Sequence, residues 1–155
     1  MIRISKLADY GVIILCALAE CRNDVVSASI IADRTSLPEP TVAKILKLLT
    51  KGGLINSTRG IRGGYALAKN PREISIKNII HAIDGPIMIT ACVDGAEPDC
   101  TLSGCCTVRG RWDGVNSAIQ DALEGVTLAD MLGESAMTTT NEDISNEKDV
   151  CHGGN

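Results

Sequence analysis

The sequence predicts a mainly α protein with a small β-hairpin: a winged helix-turn-helix domain plus a long dimerisation helix. Three observations carry this. Two apolar-periodic segments, 28–34 and 38–51, meet at a tight break, Thr35-Ser36-Leu37-Pro38. Directly after them, two short alternating segments flank a glycine-rich turn, Arg59–Gly64. Further on, Val108, Trp112, Val115, Ile119 and Ala122 repeat at about 3.5 residues, the spacing of a helix–helix seam. Four parts follow: a DNA-binding domain over 1–85, a cysteine-rich loop over 86–107, a dimerisation helix and closing helix over 108–132, and a disordered acidic tail over 133–155.

The first helix starts behind Ser5, a good N-cap, and Leu7, Tyr10, Gly11, Ile14, Leu15 and Leu18 form one apolar stripe along it. Cys16 on this helix reads as packing, because cysteine is among the most buried residue types. Ser27 caps the second helix, Ala28–Arg34. In the third, Pro38 and Pro40 sit where proline is tolerated, in the first turn. Val42, Ile45, Leu46 and Leu49 face the core, while Thr41, Lys44, Lys47 and Lys51 fall mostly on the opposite side. A helix pair of this kind with a Thr/Lys outer face is the helix-turn-helix pattern.

Gly52-Gly53 stops the third helix, Leu54–Thr58 and Tyr65–Ala68 form the hairpin, and Arg59 and Arg62 sit at its tip. Arginines there suit a phosphate or a narrow minor groove. Ser75 caps a helix to about Asp84 with Ile76, Ile79, Ile80 and Ile83 on one face and His81 beside it as a structural residue. A long helix, Val108–Leu123, and a short closing helix, Val126–Leu132, end the ordered part.

Charge is unevenly distributed. Residues 1–70 carry ten Lys/Arg against five Asp/Glu, and residues 71–155 carry five against fourteen. A basic N-terminal half in an acidic chain points to a local polyanion-binding face. No apolar run reaches the roughly 20 residues that span a bilayer, and the N-terminus lacks a signal-peptide layout, so the expectation is a cytoplasmic protein without a membrane partner. In that compartment clustered cysteines more often bind metal or do redox chemistry than form disulfides.

Four of the seven cysteines lie in ACVDGAEPDCTLSGCCTVRGR, residues 91–111. Thiolates at short spacing on a loop can close around a soft metal or an iron–sulfur cluster. Close Cys-x-x-Cys pairs, typical of zinc sites, are absent. Cys-x-x-Cys redox chemistry, a Gly-rich phosphate loop after a strand and a carboxylate–histidine constellation are also absent, so an enzyme is not expected.

The wing, Arg59 to Ala68, with the pattern Arg-Gly-x-x-Gly-Gly-Tyr-x-Leu-Ala, lies behind the helix-turn-helix and ahead of the cysteine loop. Together with the opening MIRISKLADYGV, it resembles the Rrf-two family of bacterial winged-helix regulators, which includes IscR-type and NsrR-type repressors. The resemblance covers residues 1–132. Ile87–Cys92, the Cys-Thr-Val-Arg-Gly-Arg-Trp run and T-L-A-D-M-L look most like the subgroup that regulates the Suf iron–sulfur assembly operon.

The resemblance implies a homodimeric repressor that binds a double-stranded DNA operator and senses through an iron–sulfur cluster, two-iron or four-iron. Family spacing selects Cys92, Cys100 and Cys106 as ligands and leaves Cys105 spare. Where some members have a ligating histidine this chain has Arg109, so the fourth ligand implied is Asp9, supplied by the partner subunit as in other members. DNA contact is expected from Thr41, Lys44, Lys47, Arg59 and Arg62. The rival expectation keeps the winged helix but switches it by thiol oxidation or zinc.

Overall fold

The computed structural model describes residues 3–21, 24–90, 93, 106–108 and 110–133. Cys92, Cys100, Cys105, Arg109 and the acidic tail from residue 134 onward lie outside the described residues.

Helix α1 (Lys6–Glu20) starts where the Ser5 hydroxyl accepts the Ala8 N–H at 3.0 Å. It buries Ala8, Gly11, Ile14, Leu15 and Leu18. The expected stripe is therefore rotated: Leu7 and Tyr10 are half-buried, and Ala8 takes the fully buried place. The cause is a close helix crossing. A Cβ on Gly11 would land on the Ile83 side chain, so α1 and the later helix α4 (Ile76–Asp84) meet through that glycine.

Helix α2 (Ala28–Thr35) is capped by Ser27 and ends on Ser36, whose φ of 55° turns the chain sharply. Helix α3 (Glu39–Lys51) then buries Val42, Ile45, Leu46 and Leu49 completely. Gly52 and Gly53, the latter at φ +70°, release the chain into strand β1 (Ile55–Thr58), which pairs antiparallel with β2 (Gly64–Leu67). The register sets Ile55 against Leu67 and Thr58 against Gly64.

The wing is anchored at its base. Tyr65 exchanges two backbone hydrogen bonds with Val26, at 2.8 and 2.9 Å. A Cβ on Gly64 would sit 2.5 Å from the Val26 carbonyl oxygen, so only glycine permits this approach. The hairpin is thereby tied to the segment that leads into α2.

Helix α4 opens with a capping box made by Ser75 and Asn78 and buries Ile76, Ile79 and Ile80. His81 is exposed. The long helix expected over Val108–Leu123 is shorter: α5 runs Asp113–Glu124. Gly110 adopts φ +71°, outside helical backbone, and the Arg111 N–H bonds to Val108 O at 3.1 Å, so the helix does not reach back through Gly110. Helix α6 (Leu128–Met131) is capped by Thr127 and plugs the core with Leu128 and Ala129. It is held to the start of α4 through Ile76 N–H to Val126 O at 2.9 Å and Leu128 N–H to Ile74 O at 2.8 Å. Among the described residues, no helix is long and apolar enough to cross a membrane.

Candidate nucleic-acid interface and cysteine-loop anchor

Helix α3 has two chemically distinct sides. Val42, Ile45, Leu46 and Leu49 vanish into the core, and Ala43, Lys44, Lys47 and Lys51 stand in solvent. Thr41 lies half-buried in the first turn beside Glu39. No side-chain bond caps the helix start, where Pro38 is the capping residue. Arg59 and Arg62 are exposed at the wing tip. None of Lys44, Lys47, Lys51, Arg59 and Arg62 forms an ion pair with a described residue. Among the described residues these cations are therefore not neutralised, which suits them to a polyanion.

The fold adds contacts that the sequence reading missed. A cleft of about 490 Å³ runs between α3 and the wing, lined by Lys47, Thr50, Lys51, Ser57 and Tyr65. Ser57 and Tyr65 face one another across the hairpin register, and their hydroxyl-bearing side chains join two lysines from the helix. The usable signal was strand alternation, which puts every second residue of β1 on one face.

The cysteine loop is held to α5 where it leaves α4. There the Ile89 N–H donates to Asn116 Oδ1 at 3.2 Å, and Gln120 Nε2 donates to Ile87 O at 3.1 Å. Asn116 is the buried residue of α5, at 6% exposure. Val93, next to Cys92, is also buried. Near the loop's end, Cys106 is a half-buried free thiol six residues before Trp112, the N-cap of α5. Helix α5 thus receives the chain from one end of the loop and grips the other.

Its expected seam is open: Val108, Trp112, Val115 and Ala122 are exposed and Ile119 is half-buried. Asp9 is exposed in the first turn of α1, and its carboxylate makes no hydrogen bond or ion pair with a described residue. It borders an apolar groove of about 380 Å³ formed by Ile4, Val12, Ile80, Leu123 and Met131.

The family model described as "Iron-dependent Transcriptional regulator", Rrf2, matches residues 4–134. The chain belongs to the Rrf2 family. The NsrR regulator of Bacillus licheniformis is similar to it, 29% identical over 131 residues, covering 84% of this chain and 92% of NsrR. CymR, titled the global cysteine regulator of B. subtilis, superposes with a TM-score of 0.66 at 29% identity, over 86% of this chain and 98% of CymR. T. potens IscR superposes with a TM-score of 0.59 at 29% identity, over 92% and 94% of the two chains. This Rrf2 chain is accordingly a winged-helix, DNA-binding transcriptional regulator, and its relatives are not enzymes.

Within the Rrf2 frame the expected cluster ligands divide. Cys106 and Asp9 are described, accessible and uncommitted, whereas Cys92 and Cys100 lie outside the described residues. Among the described residues no three His, Cys, Asp or Glu side chains gather as a metal site. The donor chemistry fits iron, since thiolates hold iron–sulfur clusters. Cys16 is a different kind of thiol. Burial, and then the neighbouring Glu20 carboxylate, raise its pKa above the ordinary 9.0, and it packs against the core as expected. Cys21, at the end of α1, donates to Ala17 O at 3.2 Å and receives the Arg34 guanidinium at 3.0 Å.

Proposed function

We propose that this Rrf2 chain is a homodimeric repressor of iron–sulfur cluster assembly genes of the Suf type. In this reading it senses through an iron–sulfur cluster held by Cys92, Cys100 and Cys106 of one subunit and Asp9 of the other. Helix α3 enters the major groove of the operator with Thr41, Lys44 and Lys47, and the wing arginines, Arg59 and Arg62, reach the minor groove. The observation that carries the reading is that α5 ties the cysteine loop to the open apolar seam. Asn116 and Gln120 bond the backbone at Ile89 and Ile87, while Val115 on the same helix and Trp112, its N-cap, remain exposed.

An iron–sulfur cluster, when bound, supplies a centre that responds to iron supply and oxidants. The chain's own residues transmit the state of the loop. Cys92, Cys100 and Cys106 would hold the cluster, and its ligation would constrain the chain that joins Ile89 to Trp112. Helix α5 takes up that constraint through Asn116. Because α5 packs on α4, and α4 on α1 and α3, a shift of α5 reorients the two recognition helices of a dimer. Two arrangements of one packed element, biased by ligation, make a switch.

The test is anaerobic purification with an absorption spectrum and iron and sulfide assays. The proteins are wild type and the Cys92→Ala, Cys100→Ala, Cys105→Ala, Cys106→Ala and Asp9→Ala variants. Visible absorbance lost in the Cys92, Cys100 and Cys106 variants but kept in Cys105→Ala supports the assignment. A colourless wild type without iron or sulfide overturns it. That result favours the second reading, a thiol-oxidation switch, which the likeness to a cysteine regulator supports.

A further inference from the structure

The wing tip carries an apolar residue that charge-based DNA contact does not use. Ile61 stands between Gly60 and Arg62 with a relative exposure of 108%, twice the 54% of Met131, the next most exposed large hydrophobic among the described residues. Its place is structurally defined. The Gly63 N–H donates to Gly60 O at 2.9 Å, closing a β-turn whose two corner residues are Ile61 and Arg62. Neither corner has positive φ, so both side chains leave from unstrained backbone. The turn is tight, because a Cβ on Gly63 would strike the carbonyl oxygens of Thr58 and Gly60. Isoleucine, branched at Cβ, adds few rotamers, so its tip is preformed.

We propose that Ile61 is an apolar wedge that enters the minor groove of bound DNA and partly unstacks one base step, with Arg59 and Arg62 beside it in the same groove, within reach of the phosphates that line it. The inference rests on the DNA-binding reading and adds DNA deformation to it. A fully exposed isoleucine forgoes the gain that apolar burial returns. Single exposed aliphatic residues are ordinary on a protein surface and need no partner. At this apex, however, the flanking side chains decide what surface Ile61 meets. Two unpaired arginines select an anionic partner, and Ile61 leads them. Duplex DNA offers both chemistries at the spacing of one side chain: phosphates outside, and apolar base faces that open within the groove when a step unstacks. Aliphatic wedges inserted there kink the duplex by about 20–90°.

The experiment uses full-length protein purified without oxygen and the tightest duplex it selects from a random-sequence DNA library. The bend is read by fluorescence energy transfer between the duplex ends, and unstacking by 2-aminopurine placed in turn at each adenine under the wing. Wild type is expected to bend the duplex and brighten one 2-aminopurine position. Ile61→Ser should return that position to the brightness of free DNA, at least halve the bend, and weaken binding by about threefold to tenfold. Ile61→Leu should keep both signals. Because the side chain is exposed, Ile61→Ser should leave the melting temperature within about 2 °C of wild type. Equal bend and brightness in wild type and Ile61→Ser overturn the wedge and leave DNA binding intact. A selection that enriches no duplex overturns the DNA-binding reading and the wedge with it.

Discussion

Asn116→Leu removes the side-chain oxygen that receives the Ile89 N–H and keeps a side chain of similar size at a site only 6% exposed. Leaving a backbone donor unpaired in a protein interior costs about 1–3 kcal/mol. Ile89 is half-buried, so water relieves part of that cost, and about 1–2 kcal/mol is expected. For a folded part of this size the melting temperature should fall by about 4–8 °C. Asn116→Asp keeps an acceptor at the same place and should recover most of the loss, even if its carboxyl is protonated. Two assays read this. Thermal denaturation followed by circular dichroism gives the stability, and amide exchange at Ile89 should accelerate about tenfold in Asn116→Leu. If Asn116→Leu and Asn116→Asp were equally destabilised, the hydrogen bond would be irrelevant and packing alone would explain the site. If Ile89 exchange were unchanged in Asn116→Leu, the claim that α5 grips the cysteine loop would fail.

Alanine at Arg59 and Arg62 should each weaken operator binding and lower the slope of log affinity against log salt by about 1, measured by anisotropy titration across salt concentrations. An unchanged slope would remove these residues from the phosphate contacts. Gly64→Ala should destabilise the protein by about 1–3 kcal/mol in urea denaturation, because its Cβ meets the Val26 carbonyl rather than a yielding side chain. A wild-type midpoint would mean that the wing is not held to Val26 in solution. The raised pKa of Cys16 stabilises the fold below the unfolded thiol's 9.0, and that contribution is lost as pH rises through the higher folded value. Cys16→Ala should therefore flatten the fall in stability above pH 9.0, read as melting temperature against pH; an unchanged alkaline limb would show the thiol is not held neutral.

Local sequence rules located most of the winged helix. Ser5, Ser27 and Ser75 each cap the helix that follows, because a hydroxyl before an apolar-periodic run satisfies an otherwise orphan N–H. The period of α3 separated its buried from its charged side, since packing obeys the same geometry that sets the pattern. The glycine-rich turn marked the hairpin for a similar reason: Gly63 and Gly64 occupy places where a Cβ has no room.

Non-local contacts were not legible in this way. Periodicity alone placed Leu7 and Tyr10 at the centre of the α1 face, but the Gly11–Ile83 crossing turned that face toward Ala8. The seam repeat extended the last long helix back to Val108, although Gly110 had already left helical backbone. Asn116 gave no signal, since an isolated asparagine on a polar helix face looks solvated until the segment that follows α4 brings Ile89 to it. The cleft that joins Lys47 and Lys51 to Ser57 and Tyr65 exists because the wing folds back on α3. The sequence by itself therefore determined which segments are helix, turn and wing, and which side of α3 carries the lysines, because those follow from backbone propensity and short-range spacing. Only the tertiary structure decided which face of α1 is covered, where α5 begins, and that α5 holds the cysteine loop, because these depend on contacts between residues far apart in the chain.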